Sequence, residues 1–82
     1  MKYDLELKWV KWDGETVLKG QVSAVVAWQI IFGAIINWDV DTGDFVGPSK
    51  DAMVAAKKGA VFKGSSKRSR DYEFSFYAIA VE

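Results

Sequence analysis

The chain has 82 residues, 50% of them hydrophobic and 15% aromatic, and eleven basic side chains balance eleven acidic ones. That composition excludes a disordered chain, and the length allows one domain, residues 1–82, whose small core has little surplus stability. Neither cysteine nor histidine occurs, which excludes disulfides, the usual zinc sites and imidazole-based hydrolase triads, and leaves oligomerisation as the way to supplement the core.

The neutral total hides an uneven distribution. Residues 1–45 carry four lysines and seven carboxylates, whereas residues 46–82 carry seven basic and four acidic residues. Halves of opposite sign suit two copies meeting each other, although surfaces of mixed charge are common.

The first strand is the clearest element. Tyr3, Leu5, Leu7 and Trp9 alternate with Asp4, Glu6 and Lys8, so one face is buried. At Val10 and Trp12 the parity flips, which requires either a β-bulge near Trp9–Val10 or two large residues left on the outer face. Asp13-Gly14 signals a tight hairpin turn, and residues 16–22 return as the second strand.

Residues 23–38, SAVVAWQIIFGAIINW, carry no charge. Their β-branched side chains favour a strand, but the length favours a helix over 24–34, with Ser23 as its cap. The charge-free run 20–38 approaches the roughly 20 residues that span a bilayer. Gln21, Ser23, Gln29 and Asn37, together with the half-buried strands around the run, argue against a membrane span. The stretch is expected to bury one side on the sheet and to offer the other to a second subunit. Alternation begins at the third residue and leaves no secretory signal, so the expected compartment is the cytoplasm.

Residues 37–47 suggest a strand and a turn at Asp41–Asp44. Ser49 caps a predicted helix over 50–58, with Asp51 in its first turn, Lys57 and Lys58 in its last and Gly59 closing it. A short strand at 60–63 and a loop, GSSKRSR, follow. The last strand, 71–81, places Tyr72, Phe74, Phe76, Ala78 and Ala80 on one face. Its other face turns apolar after Ser75, so the strand's end is expected to be covered on both sides. The fold class is α+β: a small, mostly antiparallel sheet in the order β-β-α-β-α-β, with two helices packed on it.

Four features bear on function. Lys63, Lys67, Arg68 and Arg70, interleaved with serines and followed by Tyr72 as a stacking platform, suit a phosphate or a nucleic-acid backbone. They lack the glycine order of a phosphate loop, and a solvated hairpin explains them equally. Asp39, Asp41 and Asp44 faintly resemble a calcium loop, but the twelfth position is Lys50 rather than glutamate, and a plain turn suffices. Asp39 and Asp41 would share a strand face as an acid–base pair, yet no nucleophile motif accompanies them, so neither an enzyme nor a metal or other cofactor is expected. Trp9, Trp12, Trp28 and Trp38, with Tyr3, Tyr72 and Tyr77, exceed what so small a core encloses. Val10 and Trp12 are the expected exposed patch, and Trp28, Ile31 and Phe32 join them as candidate partner contacts. The expected function is therefore non-enzymatic binding of another protein, of inhibitor or adaptor type, by a homodimer or higher oligomer. Binding of nucleic acid or a phosphorylated ligand through 63–70 is the alternative.

Overall fold

The computed structural model describes residues 2–38 and 46–82. Strand β1 (Lys2–Lys11) and strand β2 (Gly14–Ser23) form one hairpin; β3 (Val61–Ser69) and β4 (Tyr72–Ala80) form another. Helices α1 (Ala24–Trp38) and α2 (Lys50–Ala55) lie between them in the chain. The sheet is antiparallel throughout, in the order β2-β1-β4-β3, so the first and last strands meet at its centre.

The order is thus β-β-α-α-β-β, which corrects the expected β-β-α-β-α-β. Asn37 and Trp38, expected to open a strand, complete α1 instead; the carboxylates Asp39, Asp41 and Asp44 lie outside the described residues; and 46–49 has no regular structure. The basic segment expected as a loop is largely strand, because 63–69 continues β3 and only Arg70 and Asp71 form the turn.

Alternation on β1 determines the register. Tyr3, Leu5 and Leu7 face the helices beside Ala80, Ala78 and Phe76 of β4, and all six are buried. Pairing runs without a shift from Tyr3 to Val10 on both sides of β1, so the possible bulge is absent and Val10 lies on the open face. A slip of one residue would turn every buried side chain outward. Lys11 consequently pairs with Gly14, and the turn falls on Trp12 and Asp13, one residue earlier than expected. Gly14 adopts φ 144°, a conformation that disfavours side chains.

Residues 24–38 are helical despite their β-branched content because Ala24, Ala27, Ile31, Ile35 and Trp38 recur at helical spacing and are buried on the sheet. The Ser23 hydroxyl accepts from the Val26 N–H at 3.3 Å, capping the first turn. Helix α2 is shorter than expected. Ser49 caps it through the Ala52 N–H at 3.1 Å, but it ends at Ala55, and Lys57 and Lys58 lie beyond it. With a small apolar face, α2 is held by one buried residue, Met53.

The Tyr3 hydroxyl donates a 2.6 Å hydrogen bond to the Met53 carbonyl oxygen, one of the acceptors a helix end leaves without an intrahelical partner. Burial raises the Tyr3 pKa above its ordinary value. The outer face of the sheet is uncovered among the described residues, contrary to the expected two-sided burial of β4: Tyr77 is exposed and Ile79 half-buried.

Replacing Tyr3 by phenylalanine leaves the Met53 carbonyl oxygen unpaired in the core and is expected to destabilise the fold by about 1–3 kcal/mol in urea denaturation. A raised folded-state pKa means that Tyr3 contributes fully below the unfolded value near 10 and loses its contribution as pH rises through the higher folded value. The stability gap between wild type and Tyr3→Phe is therefore expected to narrow above that pH.

Candidate functional site

A cleft of about 510 Å³ opens between one flank of α1 and residues 46–50. Trp28, Phe32, Ile35 and Ile36 fall on that flank because helical residues three, four, seven and eight apart share a side. Trp28 and Phe32 stack with centroids 5.1 Å apart and planes 17° from parallel. Phe32 is 48% and Ile36 47% exposed, while Ile31 is fully buried at the cleft floor.

Val46, Gly47 and Pro48 form the opposite wall. Gly47 permits their close approach to α1, since a Cβ there would stand 2.5 Å from Ile35 Cδ1 and 3.5 Å from Ile31 Cγ2. Among the described residues, polar groups lie at the rim, where the Ser49 hydroxyl already caps α2 and Lys50 begins it. Such a lining offers dispersion and apolar burial, suited to large hydrophobic side chains. Tyr3, whose pKa is raised, sits in the core and outside this cleft.

Of the expected partner contacts, the structure brings Trp28, Ile31 and Phe32 together here. Val10 lies on the open face of the sheet, and Trp12, 73% exposed, projects at the tip of the first hairpin, so neither joins them. Sequence reasoning missed Ile36, Val46, Gly47 and Pro48. The spacing of Phe32 and Ile36, one helical turn apart, and the Gly47-Pro48 break were the available signals.

The basic residues do not converge. Lys63 and Lys67 lie on the open face of β3, opposite Tyr77 and Glu73 of β4. Arg68 falls at the register shift and turns its guanidinium over the Trp38 ring, 5.5 Å from the centroid. Arg70 is in the turn, and Tyr72 is half-buried beside the core. Trp38 also packs on Phe74, 6.0 Å between centroids, and Phe74 lies 5.3 Å from Trp9. The surplus aromatics are thus partly an internal cluster at one end of the sheet.

No helix among the described residues is long and apolar enough to cross a membrane. Comparison with protein-family models, with curated proteins and with solved structures returned no match.

Substitution of Gly47 by valine is expected to push residues 46–48 away from α1, costing about 1–3 kcal/mol by overpacking. Urea denaturation measures that loss, and a change in tryptophan fluorescence, measured in a background with Trp9, Trp12 and Trp38 replaced by phenylalanine, reports the altered cleft.

Proposed function

We propose that this chain is a small non-enzymatic binding protein that acts through protein–protein contacts, of inhibitor or adaptor type, as a homo-oligomer. The observation that carries this reading is the apolar cleft beside α1, where Trp28, Phe32 and Ile36 stay accessible although the same helix buries its opposite side on the sheet. Aromatic and aliphatic side chains held on a regular helix are pre-ordered, so little entropy is lost when a partner's apolar side chain enters between them. The fitting ligand is a protein segment that presents one or two large hydrophobic residues.

Nucleic-acid or phosphorylated-ligand binding has weaker support. Arg68 is engaged with Trp38, and Lys67 faces Glu73, which reduces the local positive potential.

Selection from a displayed peptide library tests the assignment. Selected peptides are expected to share large apolar anchors and to lose binding at least about tenfold against Phe32→Asp. They are expected to keep their affinity for the double variant Arg68→Ala, Arg70→Ala. Selection of acidic peptides or co-purifying nucleic acid, lost with the arginines and with added salt, would instead establish the basic hairpin as the site.

A further inference from the structure

Strand β2 forms one border of the sheet. Its ten residues pair with β1 without a bulge and contain no proline, and nearly the whole strand is exposed. Natural sheet edges are ordinarily guarded by charge, proline, bulges or a covering element. The other border, β3, is guarded in this way by Lys63, Lys67, Arg68 and its register shift. Two exposed aliphatic residues, Val17 and Leu18, sit near the middle of this edge between Glu15 and Lys19, at 44% and 45% accessibility, and no element among the described residues covers them.

Its hydrogen-bonding side follows from the hairpin. Lys11 and Gly14 close a two-residue turn, so the even-numbered residues of β2 bond to β1. The backbone N–H and C=O groups of Glu15, Val17 and Lys19 therefore point to the free edge.

We infer that this edge pairs antiparallel with β2 of a second copy about a two-fold axis at Val17, which specifies the homo-oligomer of the function proposed above. In that register Val17 meets Val17 of the other copy, and Glu15 meets Lys19 at each end of the seam. On the helix face each Leu18 stands opposite Thr16 and diagonal to the other copy's Leu18. On the open face the charges then alternate across the seam. Lys19 already contacts Glu6 at 3.4 Å, and Glu15 contacts Lys8 at 3.4 Å, each side chain retaining substantial exposure for a second neighbour. Glu6, Lys19, Glu15 of the second copy and its Lys8 form an unbroken alternating row. Neighbouring registers lose this match: shifting the axis to Lys19 places like charges together, and shifting it to Leu18 sets Val17 against Lys19.

A two-fold operator closes the assembly at two chains, because the β3 borders face outward and repel their own kind. On the order of six backbone hydrogen bonds form at the seam. One strand pair buries less than a standard interface, so micromolar rather than nanomolar dissociation is expected. The cleft beside α1 does not belong to this edge, and the two copies would present two clefts.

Sedimentation equilibrium from micromolar to millimolar concentration is the test. Wild type is expected to approach twice the 9.2 kDa chain mass. Glu15→Lys and Lys19→Glu are each expected to dissociate at least about tenfold more readily, since each places like charges at both ends of the seam. Mixing the two variants restores opposite charges at both ends, and they are expected to pair with each other. Simple loss of folding cannot produce that rescue, and circular dichroism checks each chain. Val17→Pro removes an edge N–H while sparing the bonds to β1 and is expected to be monomeric. Wild type that stays monomeric, assemblies larger than two chains, or variants that fail to rescue on mixing would overturn the inference. Peptide binding in the cleft by a monomeric chain would still uphold the binding function.

Discussion

The pairing of β1 with β4 is the constraint on which everything else rests. It joins strands from opposite ends of the chain, Tyr3 to Ala80 and Val10 to Glu73, and so closes two local hairpins into one sheet. Each hairpin alone would expose an apolar face and be marginal in water. Joined, they align Tyr3, Leu5, Leu7, Phe74, Phe76, Ala78 and Ala80 as a continuous buried floor for the helices. Small residues at Ala78 and Ala80 keep that floor shallow at one end, while Trp9, Trp38 and Phe74 fill the other.

Helix placement follows from that floor. Helix α1 leaves β2 directly at Ser23 and lies across the sheet on its alanines and isoleucines. It is apolar apart from Gln29 and Asn37, so much of the side it does not bury meets water with apolar residues. That mismatch creates the accessible flank at Phe32 and Ile36. Helix α2 is too short to be stable alone and is anchored by Met53 and by the Tyr3 hydroxyl. Residues 46–50 can therefore approach α1 and complete the cleft, with Gly47 allowing the contact.

The two borders of the sheet differ in how they meet solvent. Lysines and an arginine interrupt β3, and Arg68 folds back onto Trp38, so positive charge that looks like a ligand site in sequence is distributed between edge protection and packing. On β2 the charges instead form cross-strand pairs with β1 at 3.4 Å, leaving the middle of the strand apolar. Exposed pairs of this kind contribute little to stability, and their greater effect is on which strand alignment is preferred.

Much of the fold was legible in residue pattern. Period-two alternation on Tyr3–Trp9 and Tyr72–Ala80, the turn signal near Asp13-Gly14, and the caps at Ser23 and Ser49 are local properties, each set by a side chain and its immediate neighbours. The sequence offered Val10, Trp12, Trp28, Ile31 and Phe32 as one set of contacts, and only the last three meet in the cleft, because they share a helix while Val10 and Trp12 belong to the first hairpin. Other features depended on partners distant in the chain. The turn moved to Trp12 and Asp13 because the β1 register is set by both of its neighbours. Residues 63–69 became a strand because β4 supplies their hydrogen bonds, although their composition suits a loop. Asn37 and Trp38 stayed helical because Trp38 is buried beside Phe74. Alternation, capping and turn chemistry act over a few residues and can be read directly. Register, helix length and the meeting of α1 with Gly47 come from contacts across the fold, and only the tertiary structure decides them.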